Sequence, residues 1–366
     1  MLLKAEAEKL SLPMLQAGVV DNIITSDELF AIVPFMPFEG KSYKYNRELS
    51  LGSAAWYDVN ESLGESAATF TEITQELKRL IGQVDVDNFL QAQDSDTNDQ
   101  AATQIAKKSK VIGRTFANTL VNGDTAINAK QFDGLRKVSL GLASSQRLNS
   151  VVAGAALGYD MLDWLIDAVK VGTNAAFVMN SRTLRSYIAL QRALGGTTPE
   201  SVSIGGQVFM AYRGRPILKN DWMPIDEDYE GHSIANSSGW AATTAYTADQ
   251  RVVAVATPLT NRIFECTTGG TSGAAEPTWD TTPGNTTADG TAVWTCRAAT
   301  LGSIFLASMD EDEGWHGLVS QNMAGIEVED IGPLESYDAN RYRVKWYTAC
   351  CLKSELALAR ATGVNN

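Results

Sequence analysis

A chain of 366 residues with 44% hydrophobic and 20% charged residues is too apolar for disorder, and a soft prior of about 150 residues per domain predicts two or three folded units. A net charge of -13 argues against a protein that grips nucleic acid through a generally basic surface, while leaving local basic patches open. No apolar run approaches the roughly 18 residues of a membrane span, and MLLKAEAEKLSLP lacks the apolar core of a signal peptide, so synthesis in the cytoplasm with no membrane partner is expected.

Residues 1–40 read as an apolar arm punctuated by Pro13, Pro34 and Pro37, of the kind that buries against a partner surface. Residues 41–61 alternate on both sides of Ser50–Ser53 (SLGS) and read as a hairpin with no strong core face, stable only when it lies on something else. Phe70–Leu80 reads as a strand, with Ile81–Val86 following after a glycine break, although EITQELKRLI also fits a helix. The clearest helix is Asp94–Leu120, with Ile105, Ser109, Ile112, Phe116 and Leu120 on one stripe, caps among Asp94, Ser95 and Asp96, and a stop at Asn122-Gly123.

Asp160–Val169 forms a second amphipathic stripe through Leu162, Leu165, Ile166 and Val169. AAFVM then reads as a buried strand, Asn180 or Ser181 as a helix cap, and Gly195-Gly196 as the stop. QVFMAYRGRPILKNDWMP reads as strand, Arg-Gly turn and strand, which makes this region mixed α/β. From about Ala235 to Thr300 the texture changes to Thr, Gly and Ala. RVVAVA, RIFECTT and TAVWTCRA are short strands between turn clusters, so a small β module interrupts the chain. Beyond it SIFLASM is a buried strand, DEDEGWHGLV an acidic loop and AGIEVEDIG a short strand. In RYRVKWYTACCL the residues Tyr342, Val344, Trp346, Thr348 and Cys350 face one way and Arg341, Arg343 and Lys345 the other.

The chemistry-bearing motifs are sparse. GGTSGA at Gly269 is not followed by GK[ST] and reads as a turn cluster. The calcium-loop start at Asp94 fails at Asp99, where glycine is needed, and at Ile105, where glutamate is needed. Asp310–Glu313 reads as a solvated acidic loop, and His232 and His316 are the only histidines. No catalytic residue, metal site or cofactor is expected. Cys350 reads as a buried thiol on the apolar face of its strand. Cys266 and Cys296 lie in two predicted strands of the module, which pairing would bring together either as a disulfide or as two packed thiols. Trp240, Tyr246, Trp279 and Trp294 either build the module's own core or stack on a glycan or partner. Trp240, Tyr246 and Trp279 are the candidates for contact.

AAFVMNSRTLRSYIALQRALGG followed by QVFMAYRGRPILKNDWMP resembles the tailed double-stranded-DNA bacteriophage major capsid proteins. ESLGESAATFTEITQELKRLIGQVDVDNFL resembles the extended loop returning to the body, Asp94–Leu120 the spine helix, and GIEVEDIG with RYRVKWYTACC the closing strands of the peripheral domain. The resemblance implies an α+β capsid fold. Its parts would be an N-terminal arm (1–40), an extended loop (41–86), a peripheral domain (87–150 and 326–366) and an axial domain (151–234 and 301–325), with residues 235–300 as an all-β insertion.

The same resemblance implies hexamers and pentamers closing into an icosahedral head around double-stranded DNA, assembled in the bacterial cytoplasm with a separate scaffold, a portal and cement proteins. Arm and loop would overlap neighbours through Phe35, Phe38, Tyr43, Tyr45, Trp56 and Tyr57. Some family members crosslink a loop lysine to an asparagine; Lys41 and Lys44 lie in the hairpin, with no identifiable partner. WAATTAYTADQRV also resembles the opening of chitin-binding-type carbohydrate modules, with Trp240, Tyr246 and Val252 in step, although the glycine usual near Asp249 is absent. An insertion in the axial domain would project from the outer face. Two rival readings are an encapsulin-like compartment shell and a carbohydrate-binding protein.

Overall fold

The computed structural model describes residues 28–40, 42–62, 64–93, 99–172, 174–195, 200–204, 206–321 and 325–365. Two sheets share one core, a two-stranded hairpin extends from it, and a further five-stranded sheet is formed between residues 238 and 298.

The first sheet is built on Ala339–Leu352. Its alternation sends Val344, Trp346, Thr348 and Cys350 inward, and all four are buried. Lys78–Asp87 pairs antiparallel along one flank, from Thr348 to Ala339. Trp315–Ser320 and Glu327–Pro333 follow one another along the opposite flank. The break in the 70–86 region falls at Leu77, not at the glycine: Thr69–Glu76 belongs to the hairpin and Lys78–Asp87 to the sheet. Gly82 lies inside the strand. A Cβ there would stand 2.8 Å from Lys108 Cδ, so the glycine serves close approach of the helix above it.

That helix is Gln100–Asn122. Asp99 caps it, its carboxylate accepting from the Ala102 amide at 3.2 Å. The expected caps Asp94, Ser95 and Asp96 lie outside the described residues, and Asn88–Gln93 is a separate short helix. The stripe Ile112, Phe116 and Leu120 is buried, with the Phe116 and Trp346 rings 4.4 Å apart. Burial of a side chain such as Phe116 contributes roughly 2–3 kcal/mol. Gly123 ends the helix as expected, donating its amide to Thr119 at 2.8 Å.

The second sheet has eight strands. At its centre Ala175–Met179 lies between Gly302–Ser308 and Arg215–Lys219. Its two apolar runs are unbroken because both faces are covered. Ala176, Val178, Phe305 and Ala307 enter the core shared with the first sheet. Phe177, Met179, Ile304 and Leu306 pack instead with Leu162 and Leu165 of the helix Tyr159–Ala168 and Tyr187 of the helix Ser181–Ala193. Asn180 caps the latter helix. Arg213 and Gly214, both at positive φ, turn Gln207–Tyr212 into Arg215–Lys219, and Glu200–Ile204 adds a strand unseen in the sequence.

Two segments join the sheet other than the one expected. Trp315–Ser320 hydrogen-bonds in the first sheet and Leu358–Asn365 in the second. The chain crosses between the sheets after Ser308 and again after Leu352, so one boundary near residue 325 cannot follow it.

The hairpin pairs Ser42–Ser50 with Thr69–Glu76, not with 54–61, and SLGS is not its turn. TFTEITQE carries more β-branched residues than SAAWYDVNE and competes better for the pairing. Residues 51–62 and 64–68 form an exposed excursion whose two legs meet where the Ser53 amide donates to Ser66 Oγ at 2.8 Å. Phe35–Phe38 runs parallel to Trp315–Ser320 at the edge of the first sheet, where Pro37 is tolerated. The described part of the arm therefore packs on its own chain, with Leu29 and Val33 buried in its core. Residues 1–27 lie outside the described residues.

In the remaining sheet the strands run in the order Ser238–Gly239, Arg251–Val253, Arg262–Thr268, Ala292–Ala298, Thr286–Asp289. The short ribbon of Ala245–Tyr246 with Gly270–Thr271 lies beside them.

Candidate assembly surfaces

The hairpin is held to the body at its root. Arg47 donates from Nε to the Lys353 carbonyl at 2.8 Å, from one terminal nitrogen to the Leu352 carbonyl at 2.7 Å, and from the other to Glu355 at 2.8 Å. Tyr45 donates its hydroxyl to the Leu352 carbonyl at 2.7 Å, and burial pushes its phenol well above the ordinary value. The Leu352 and Lys353 carbonyls lie where the strand Ala339–Leu352 ends, and the alternating pattern of KYNRE brings Tyr45 and Arg47 to one side of the hairpin to meet them. This latch was not read from the sequence; the signal was the i, i+2 spacing of a tyrosine and an arginine.

The six aromatic contact candidates divide. Phe35 packs among Phe30, Phe116 and Trp346. Phe38, Tyr43 and Tyr45 form a chain of rings at centroid separations of 5.9 and 5.8 Å against the chain's own core. Trp56 and Tyr57 lie on the excursion. Trp56 is fully exposed and Tyr57 is 43% exposed, alongside exposed Leu49, Leu51, Val59 and Phe70. Lys44 is ion-paired with Glu72 at 2.6 Å, and Lys41 lies outside the described residues.

Around Asp226–Ser233 and Leu301–Ser303, where the chain enters and leaves the five-stranded sheet, buried charges are concentrated. Arg360, fully buried, donates to Glu227 at 3.0 Å, to the Gly231 carbonyl at 2.9 Å and to Ser139 at 3.2 Å. Arg136 reaches the same Glu227 oxygen at 2.7 Å, and Ser303 donates to its other oxygen. Burial pulls the Arg360 guanidinium below its ordinary value, against the attraction of Glu227. Gly231 is at φ +89, and a Cβ there would stand 2.2 Å from the Arg360 terminal nitrogen. Arg251 on the module side binds Asp228 at 2.8 Å and also Glu230; these carboxylates outweigh burial and hold its guanidinium above the ordinary value. Arg360, a charge within the apolar run LALARATGV, was the sequence signal for this network.

Within the five-stranded sheet, Trp240, Tyr246 and Trp279 pack against a core of Val252, Phe264, Cys266, Trp294 and Cys296. Trp279 stacks on Phe264 at 3.9 Å and donates to Glu276 at 2.7 Å; Trp240 donates to Asp289 at 2.8 Å; Tyr246 lies edge-on to Trp294 at 4.8 Å. These contacts serve the sheet itself. Cys266 pairs with Trp294 and Cys296 with Phe264, which makes the cysteines diagonal neighbours, and both are free and buried. Asp249 takes φ 68, the left-handed conformation that aspartate tolerates, at the position where the resemblance led to a glycine. Among the described residues, no three His, Cys, Asp or Glu side chains converge on a metal position. No described helix is long and apolar enough to cross a membrane.

No family model and no curated protein matches the chain by sequence. Solved structures match its fold over 96–100% of their length. The holo-SrpI encapsulin complex from Synechococcus elongatus PCC 7942 is similar at 16% identity and a TM-score of 0.60, covering 100% of this chain and 96% of that one. The capsid of a native GTA particle is similar at 15% identity and a TM-score of 0.60, covering 99% and 98%. The cyanophage A-1(L) capsid is similar at 9% identity and a TM-score of 0.61, covering 100% of both chains. The chain thus has the mixed α/β fold found in phage capsid and encapsulin shell subunits.

Proposed function

We propose that this chain is a self-assembling shell subunit, the major capsid protein of a tailed double-stranded-DNA phage, and not an enzyme. The observation that carries the reading is the hairpin excursion, which holds Trp56, Leu51 and Val59 in solvent on a latched arm. A hairpin that exposes this much apolar surface gains by burying it on another subunit. The full-length fold likeness to capsid and encapsulin subunits supports the same conclusion. Hexamers and pentamers close into a head in the virion, with scaffold, portal and cement proteins as further partners. The hairpin of Ser42–Ser50 and Thr69–Glu76 overlaps neighbours, the sheet built on Ala339–Leu352 with the helix Gln100–Asn122 is the peripheral domain, the sheet around Ala175–Met179 is the axial domain, and 235–300 is an insertion on the outer surface. Electron microscopy of the purified chain after size-exclusion chromatography tests this: closed shells or hexamers and pentamers support it, and a persistent monomer under crowding, with or without a phage scaffold, overturns it.

The likeness to the encapsulin complex favours a second reading, a bacterial compartment shell. Particles purified from cells carrying nucleic acid support the phage head; particles carrying a single enriched protein cargo support the compartment.

A further inference from the structure

Where the helix Gln100–Asn122 crosses the start of the strand Lys78–Asp87, a cavity of about 210 Å³ is lined by Lys78, Arg79 and Lys130, with Thr115, Thr119 and Thr348 among its polar groups. No carboxylate lines it. Among the described residues, none of Lys78, Arg79 and Lys130 is in an ion pair, and Lys78 donates only to the Ala129 carbonyl at 3.3 Å. Thr348, 2% exposed, has a buried hydroxyl with no hydrogen-bond partner. In a chain of net charge -13, an uncompensated group of three cations is a local reversal of sign. It continues along the helix, which contains no Asp or Glu and carries Lys107 and Lys108. Lys108 lies against Gly82. From Thr115 to Lys108 is about two turns, roughly 10 Å along the axis.

We infer that this cavity and the adjoining helix face bind phosphate groups, and that the ligand is the phosphodiester backbone of a nucleic acid. Phosphate offers several acceptor oxygens to donors that have no carboxylate to satisfy them. A linear polyanion is favoured over a single ion because the cations extend along the helix beyond the cavity. Binding of this kind reads charge and not sequence. The inference rests on the shell reading for its biological ligand, not for its chemistry.

The test is fluorescence anisotropy of a short labelled DNA duplex against the full chain across a salt series, for wild type, Lys78→Ala/Lys130→Ala and Lys78→Glu/Lys130→Glu, with Lys44→Glu as control. Both double variants are expected to lose affinity roughly tenfold or more and to lower the salt slope by about two, with the control unchanged. Circular dichroism and particle size are recorded on the same samples. Well-folded double variants with wild-type affinity and slope overturn the site. Saturation by inorganic phosphate without any duplex binding overturns the nucleic-acid assignment. A chain that binds duplex through these lysines yet never forms shells supports the site and sinks the shell reading, so the two failures are distinguishable.

Discussion

Arg47 and Glu355, 308 positions apart in sequence, are joined at 2.8 Å where the hairpin leaves the body. The same guanidinium also satisfies the carbonyls of Leu352 and Lys353, so one side chain fixes the direction in which the excursion extends. Arg47→Ala is expected to cost roughly 1–2 kcal/mol, since the group is partly screened by solvent. Thermal unfolding reads that cost. Hydrogen exchange reads the local effect, with faster exchange across Ser42–Ser50 and little change in Ala175–Met179. Equal protection of the hairpin in both proteins would show that the latch does not hold it.

Trp56 is fully exposed and touches no core. Trp56→Ala is therefore expected to leave subunit stability within about 0.5 kcal/mol while impairing assembly. Sedimentation and electron microscopy against matched melting curves separate the two effects. Assembly at the wild-type rate and yield would remove Trp56 from the subunit interface.

The Glu227 network is a different case, because its charges are buried. Arg360→Met leaves Glu227 with fewer compensating donors in a site water does not reach. The expected loss is about 3–5 kcal/mol, measured by denaturant unfolding. A loss below about 1 kcal/mol would mean that Arg136 alone neutralises Glu227.

His232 is half-buried near Arg251 and Arg360, and its pKa is pushed down to about 4, mainly by desolvation. The unfolded chain takes up a proton near the ordinary value of about 6.5 and the folded chain only near 4, so stability falls as pH drops through that window. His316, also lowered by burial, acts in the same direction; Asp226, raised by burial, acts against them. A melting-temperature series from pH 7 to 4 is expected to slope downward in the wild type and less steeply in His232→Gln. Parallel slopes would exclude His232 as the source.

Burial also raises the thiols of Cys266 and Cys296, which keeps the reactive thiolate scarce. In reduced native protein both are expected to resist a thiol reagent and to react only after unfolding. Intact mass under non-reducing conditions is expected to be the full reduced mass of packed free thiols, and a mass lower by two hydrogens would show a bond.

Much of this architecture was legible in the sequence where burial has a simple period. Ala339–Leu352 alternates, the stripe through Ile112, Phe116 and Leu120 recurs every four residues, and AAFVM and SIFLAS are unbroken because both their faces are covered. Local rules also narrowed the cap to Asn180 or Ser181, of which Asn180 serves, and placed the Arg213-Gly214 turn and the close of the long helix at Gly123. Pairing partners were decided only in three dimensions. Two segments, 54–61 and 69–76, both alternated next to Ser42–Ser50, and strand competition chose the one with more β-branched residues. The crossings that place Trp315–Ser320 in one sheet and Leu358–Asn365 in the other leave no local pattern. Nor does the meeting of Arg360 with Glu227 or of Arg47 with Glu355, because a charge finds its partner through the packing of distant elements. The sequence determines how each segment can present its side chains; which surfaces then meet depends on the whole chain burying its apolar faces at once.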